Sequence, residues 1–387
     1  MNRYMALRSV RLCLIGSILL ACSSSNDSAG PVIPPDQLGE LAVGHSMFTV
    51  VDQARAGRSL LVDIWYPVDL EDVDGAEPRQ YTLSGLLGPV SEVALADPPV
   101  SRRRGQTLLI FSHGYRGINT SAVGLMEALA SHGFVVAAPE HTGNAQQSPT
   151  DPFDEAAANR VPDVSFLIDE MIRRNRDPRD PFFDRLDEER VGVLGHSFGG
   201  MTAIGMAAGW AGAEPDPRVA AILPMSAVIE PKLQSDERDS PYAGFTASQL
   251  ERIEVPTMLM GGSEDVDVFP ENNDIAFDQI INAPRVYEVE VIGANHTHFA
   301  NVCWIGDYLI SIGITADRWP ALGAADLVEP YDATCGPEAF PIEEAERLIR
   351  LYSVAFFKRH LLGQSGYDAY LSAEAAELES NVDFARK

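Results

Sequence analysis

Apolar and polar positions along this chain follow two different periods. Ser46–Asp52 and Ser59–Pro67 carry alternating or β-branched runs separated by Ala54-Arg55-Ala56-Gly57, the pattern of a β-hairpin, expected at a sheet edge. Residues 69–106 hold an Asp-Gly step, prolines and three consecutive arginines, and read as a long connection of low order. Its Tyr81–Val90 portion leaves two readings open, packing near a site or lying on the surface. From Thr107 onward continuous apolar strands alternate with helical periods. Thr107–Phe111, Phe134–Ala138, Arg190–Leu194, Val219–Met225, Val255–Met260 and Val286–Ile292 are strands suited to burial on both faces, the last of them the final strand.

Helices are expected at Asn119–Ser131 (Ala122, Leu125, Met126 and Leu129 on one face), Asp163–Arg174, Met201–Trp210 and Ile342–Leu362. Residues 142–160 read as an insertion, and the Pro- and charge-rich Glu230–Glu251 as an excursion suited to a small lid. Strands alternating with helices predict a mostly parallel, doubly wound α/β sheet with helices on both faces. No internal repeat is visible, and residues 41–387 read as one domain.

The N-terminus has a different character. Arg3, Arg8 and Arg11 precede an apolar run, Leu12–Leu20, of signal-peptide length, so residues 1–21 read as a leader that takes the chain out of the cytoplasm. Leu19-Leu20-Ala21-Cys22 resembles the lipobox of bacterial lipoproteins, which implies cleavage before Cys22, lipidation of its thiol and attachment to a bacterial membrane. Ser23 after it resembles lipoproteins routed to an outer membrane. Residues 22–40, small, polar and proline-rich, read as a flexible tether. Loss of a leader holding three arginines and no acids takes the formal charge from −27 to −30. So acidic a surface argues against nucleic acid as a partner. With Cys13 in the leader and Cys22 as lipid site, Cys303 and Cys335 remain as an even pair in an oxidising compartment, and are expected to form a disulfide. Closing that loop stabilises by roughly 3–4 kcal/mol on the chain-entropy model. No Cys/His cluster has metal-ligand spacing, so no metal is expected.

Candidate chemistry centres on Gly195-His196-Ser197-Phe198-Gly199, the G-x-S-x-G elbow, with an apolar strand before it and a helix-forming segment after it. That context makes Ser197 a nucleophile candidate. A serine hydroxyl needs a histidine to take its proton, and the histidine needs a carboxylate on its other nitrogen. Partners stand after the next strands in the expected order. Asp265, in Gly261-Gly262-Ser263-Glu264-Asp265, is the candidate acid, with Asp267 and Glu264 behind it. His296, in Gly293-Ala294-Asn295-His296-Thr297-His298, is the candidate base, with His298 as alternative. His45, His132 and His141 are expected to be structural, and His113 to buttress a loop. Two oxyanion donors are expected, the amide of Phe198 and, in the loop Ser112–Gly117, the amide of Tyr115, with Gly114 letting the chain turn.

These residues resemble a known family. Phe111-Ser112-His113-Gly114-Tyr115-Arg116-Gly117, the run Ala130–His141, Leu194–Gly200 and Asp63-Ile64-Trp65-Tyr66-Pro67 are similar to the platelet-activating-factor acetylhydrolase and predicted dienelactone hydrolase branch of the α/β-hydrolases. The likeness spans roughly residues 45–370. It implies an α/β-hydrolase fold and a serine esterase acting on small acyl esters without cofactor or metal. The roles fall to Ser197, Asp265, His296 and the amides of Tyr115 and Phe198. True dienelactone hydrolases carry a cysteine where this chain has Ser197, which sets that substrate in doubt. Phe198 beside the serine and Trp304 beyond the histidine point to an apolar acyl or aromatic pocket. Lipases, cutinases and poly(ethylene terephthalate) hydrolases share the fold, an acyltransferase shares the acyl-enzyme, and a binding module on a hydrolase fold stands as the non-enzymatic rival.

Overall fold

A computed structural model describes residues 32–83, 86–146 and 148–387; the leader, Cys22 and the first part of the tether lie outside them. In chain order the elements are β1 Ala42–Asp52, β2 Arg58–Val68, β3 Pro78–Leu83, β4 Leu86–Ala96, β5 Gln106–Ser112, α1 Val123–Ser131, β6 Val135–Pro139 and α2 Phe153–Arg176. There follow β7 Leu186–His196, α3 Phe198–Ala208, β8 Val219–Met225, α4 Ala247–Leu250, β9 Thr257–Gly262, α5 Glu271–Gln279 and β10 Val286–Val291. The chain ends with α6 Val302–Ser311, α7 Val328–Cys335, α8 Ile342–His360 and β11 Val382–Arg386.

Among the described residues the strands form one sheet in the order β11-β10-β9-β8-β7-β5-β6-β2-β1-β4-β3. The block from β6 through β5, β7, β8 and β9 to β10 is parallel. Its strands are apolar without alternation because both faces are covered. In β5, Leu108 and Ile110 face a core shared with α2 and α3, while Leu109 and Phe111 face a second core shared with α1 and α8. Val135 and Ala137 of β6 divide from Val136 and Ala138 in the same way. Helices on both faces follow, as expected.

Several boundaries differ from expectation. The β1–β2 hairpin is not at the edge. β4 pairs parallel with β1 at Val43–Ala94 through His45–Ala96, and β3 closes the sheet beyond it. The connection expected to be poorly ordered thus supplies two strands, anchored where the Trp65 indole donates to the Tyr81 hydroxyl (2.7 Å) and that hydroxyl donates to Glu127 (2.9 Å). Another strand, β11, pairs antiparallel with β10 and forms the opposite edge. The expected helix at Asp163 begins ten residues earlier and carries Pro162 in its interior. An interior proline costs about 3 kcal/mol. Burial of Ala156, Ala157, Val161, Val164, Leu167, Ile168 and Met171 along one face offsets it. The tether ends sooner than residue 40, because residues from Ile33 are held on the domain. Tyr367 donates to the Ile33 carbonyl (3.1 Å), Arg350 to that of Asp36 (3.0 Å), and the Gly39 amide donates to the Ser131 hydroxyl (2.7 Å).

The parallel strands leave their C-terminal ends along one edge, and there the first turn of α3 comes close enough to β5 and β7 to exclude side chains. A Cβ on Gly199 would lie 1.8 Å from the Ser112 carbonyl oxygen, and one on Gly195 2.3 Å from that of Gly199. Gly199→Ala is therefore expected to destabilise by more than about 3 kcal/mol in urea denaturation. Gly124→Ala, on an exposed turn of α1 with nothing within 4 Å of the new Cβ, is expected to stabilise by a few tenths to about 1 kcal/mol.

Candidate active site

Ser197 occupies the single residue between β7 and α3, with φ 58° and ψ −121°. A non-glycine residue there is strained, and such strain persists only where the surroundings over-determine it. The Ser197 amide donates to the Met225 carbonyl (2.8 Å), and the close approach of Gly195 and Gly199 fixes the chain on both sides. The N-terminus of α3 follows at once, with the Phe198 amide in its first turn.

Asp265 lies on the turn after β9 and is 3 % exposed. One carboxylate oxygen accepts from the amides of Asp267 (3.0 Å) and Val268 (2.8 Å); the other accepts from His296 Nδ1 at 2.8 Å. Nδ1 thus carries the proton and Nε2 is the free base nitrogen. Burial pushes the His296 imidazolium down, but the hydrogen bond and charge of Asp265 outweigh it, and its pKa stands above the ordinary value. Burial likewise pushes Asp265 up, and His296 with the Val268 amide brings it below the usual carboxylate range.

The other candidates are not hydrogen-bonded to His296, although Asp267 borders the same cavity and its charge adds to the raising of the His296 pKa. His298 donates through Nε2 to the Phe340 carbonyl (3.0 Å) and accepts the Asn295 amide at Nδ1 (2.9 Å), so both its nitrogens are occupied. Glu264 is exposed, and Asp267 accepts from the Ser235 hydroxyl (3.1 Å). Ser197 and His296 line one cavity of about 180 Å³ with Tyr115, Phe153, Phe198, Met201, Val228 and Val268. No hydrogen bond joins serine to histidine among the described residues, a spacing common for such a pair awaiting substrate. Phe198 lines this cavity as expected, whereas Trp304 packs edge-on against Tyr81, 5.6 Å away. Residues 230–251 form a wall of the cavity, with Arg238 stacked over the rings of Tyr115 (4.5 Å) and Phe153 (4.9 Å). His196, 4.5 Å from the His296 ring, is driven down to about 3 by burial and the neighbouring imidazole, and stays neutral.

The candidate oxyanion loop, Ser112–Gly117, is held from behind. The Gly114 carbonyl accepts from Arg160 Nη2 (3.0 Å), His113 Nδ1 (2.8 Å) and the Gly117 amide (3.1 Å). In a trans peptide N–H points opposite to C=O, so this pull turns the Tyr115 N–H the other way. A Cβ on Gly114 would stand 3.4 Å from Ser197 Cβ, so this peptide borders the candidate nucleophile. Arg160, on α2 and fully buried, also donates to the His113 carbonyl, to Ser112 Oγ (3.2 Å) and to Asn144 Oδ1. Burial lowers its pKa to about 9. Behind it, His141 donates to Asp163 (2.9 Å), which accepts from Arg55 and Arg58. His113 accepts the His141 amide (3.1 Å) and is neutral, held well below its ordinary pKa by burial and Arg160. Both histidines thus buttress, as expected, while Arg160 was unforeseen. With α2 begun at Phe153, Arg160 falls four residues from Ala156 and from Val164 on the buried face, which is the signal that could have found it.

Residues 100–262 match the chlorophyllase family model. That stretch holds the candidate oxyanion loop, Arg160 and Ser197, and stops short of Asp265 and His296. Among solved structures, the chain is similar to a ferulic acid esterase from Streptomyces cinnamoneus, at 22% identity over 89% of this chain and 96% of that one, with a TM-score of 0.58. The fold is that of the α/β-hydrolases.

Titration of His296 by NMR is expected to show a midpoint above the ordinary 6.5 in the native protein. In Asp265→Asn the larger raising charge is gone, and burial, the strongest influence on this imidazole, is opposed only by the smaller pull of Asp267, so the midpoint should fall below 6.5.

Proposed function

We propose that this chain is a serine carboxylic ester hydrolase working through Ser197, His296 and Asp265. One arrangement carries the reading: a histidine with its Nδ1 proton committed to a buried aspartate shares a cavity with a strained serine at a strand–helix elbow. In the proposed cycle, His296 Nε2 takes the Ser197 hydroxyl proton as Oγ attacks the ester carbonyl. The Tyr115 and Phe198 amides, with the dipole of α3, stabilise the oxyanion. His296 then gives that proton to the leaving alkoxide, the alcohol departs, and the acyl group stays on Ser197. Water, deprotonated by His296, returns the serine and releases the acid. Asp265 steadies the imidazolium in both halves.

The chlorophyllase model match and the ferulic acid esterase likeness support ester chemistry in general. The resemblance to platelet-activating-factor acetylhydrolases, together with an acyl-side cavity of about 180 Å³, supports short acyl groups. A lipid anchor at Cys22 would hold the enzyme at a membrane outside the cytoplasm; two or more acyl chains there make anchoring stable where one is marginal.

Hydrolysis of p-nitrophenyl esters from acetate to palmitate by the chain from Ser23 onward is expected to peak at short acyl groups. Ser197→Ala should lose on the order of 10⁶ in turnover. A peak at palmitate would favour a lipase, and equal slow rates in both proteins would favour a binding module. Arg160→Lys keeps the charge but not the fork that spans two carbonyls. Its kcat is expected to fall ten- to a hundredfold with KM little changed, short of the roughly 10²–10³ lost with a whole oxyanion donor. An unchanged kcat would remove Arg160 from the positioning role.

A further inference from the structure

Between the catalytic histidine and α8, residues 302–335 form an insertion closed by the Cys303–Cys335 disulfide (S–S 2.07 Å). Its centre is Trp319, fully buried, with the indole donating to the Ile314 carbonyl (2.9 Å) and Tyr331 packed edge-on at 5.1 Å. The insertion is bound to both halves of the candidate site. Toward the histidine loop, Asn295 donates to the Ala333 carbonyl (3.1 Å), and the hydroxyls of Thr334 and Thr297 pair. Toward the oxyanion loop, Asn301, the residue just ahead of the insertion, donates to the carbonyls of Ser121 and Thr120, both at 2.7 Å.

In the space so framed lies a groove of about 230 Å³, lined chiefly by Ile118, Ile305, Leu309, Ile314, Trp319 and Leu327. None of these aliphatic side chains is fully buried, so the groove is open and preformed, and Leu322 on it is 57 % exposed. It starts beside the oxyanion loop. Ile118 follows Gly117, whose carbonyl accepts the Gln146 amide (3.0 Å), and Gly117 packs on Gly114, next to Ser197. Chain geometry puts the near end of the groove on the order of 10 Å from the nucleophile.

We infer that this groove is the binding site for an unbranched, uncharged hydrocarbon chain on the leaving-alcohol side of the ester. The inference rests on the serine hydrolase reading and adds its substrate class. Three observations select the occupant. The groove is apolar and the only ionisable group on its lining is an acid, Asp326, so an anionic head group has no partner there. The insertion is continuous with the His296 loop, and His296 must protonate the leaving oxygen, so the leaving group extends toward this side. The acyl side is already bounded by Phe198, Met201 and Val228 in the smaller cavity. At about 30 Å³ for each small group, the groove takes roughly eight methylenes.

The test is a series of n-alkyl acetates, ethyl to decyl, beside p-nitrophenyl esters of growing acyl length. Native kcat/KM is expected to rise about two- to fourfold per added methylene of the alcohol and to level off near eight. The octyl-to-ethyl ratio, internal to each protein and so insensitive to the folded fraction, should fall at least tenfold in Leu309→Trp, which fills the groove, and in Leu327→Asp. A native enzyme that hydrolyses the esters with a flat alkyl series, or that lengthens its preference only on the acyl side, overturns the groove assignment and leaves the esterase reading standing. If native protein and Ser197→Ala hydrolyse none of the esters, the esterase reading fails instead. Calorimetric binding of 1-octanol then decides the groove by itself: saturable binding weakened tenfold by Leu327→Asp supports it, and no saturable binding overturns it.

Discussion

A serine can stand at position 197 only because the first turn of α3 meets the ends of β5 and β7 with no side chain between them. Gly199 presses on the Ser112 carbonyl and Gly195 on Gly199, and any Cβ would part them. That approach sets the φ of Ser197, starts α3 directly beneath it, and brings the loop after β5 against the nucleophile. The rest of the site is then a matter of what holds each neighbouring loop. The turn after β9 is fixed by Asp265 accepting amides of its own loop, and the loop after β10 by Asn295 and His298. The candidate oxyanion loop closes its own turn from the Gly117 amide to the Gly114 carbonyl, and is held in addition by a side chain reaching across from α2.

That second hold explains an uncommon arrangement of charge. Arg160 is a fully buried guanidinium whose contacts are carbonyls, a hydroxyl and an amide oxygen. Its charge is balanced at one remove by Asp163, itself paired with Arg55 and Arg58. A buried charge is tolerable only when it is well hydrogen-bonded; both Nη groups of Arg160 are, while its Nε has no partner among the described residues, and the geometry that satisfies the Nη groups turns the Gly114 carbonyl away from the cavity. The buried histidines on this side, His113 and His141, are kept neutral by burial and by Arg160. His196 is neutral on the other. The imidazole favoured to carry charge is the one facing Asp265.

Much of this was legible in the sequence because the signals were local. The elbow glycines, the order of Ser197, Asp265 and His296, the two-faced apolar strands and the pairing of Cys303 with Cys335 each follow from a few adjacent residues or a simple count. What escaped depends on tertiary contact. Pro162 reads as a helix start, and only the burial of Ala156, Ala157 and Arg160 shows that α2 runs through it. β3 and β4 lack a clean alternation, and are ordered by the Trp65–Tyr81–Glu127 network rather than by propensity. β11 exists because β10 offers an unpaired edge. Trp304, assigned to a pocket from its position, packs on Tyr81 instead, since the turn of α6 that carries it faces β4.

In the proposed cycle Ser197 becomes acylated. The most direct measurement is mass analysis of peptides from enzyme acid-quenched during turnover of p-nitrophenyl acetate. A mass gain of one acetyl group is expected on the peptide carrying Ser197, and none in Ser197→Ala, with slower discharge of the label in His296→Ala. An acetyl group found on any other residue, or turnover with no acylated peptide, would contradict it.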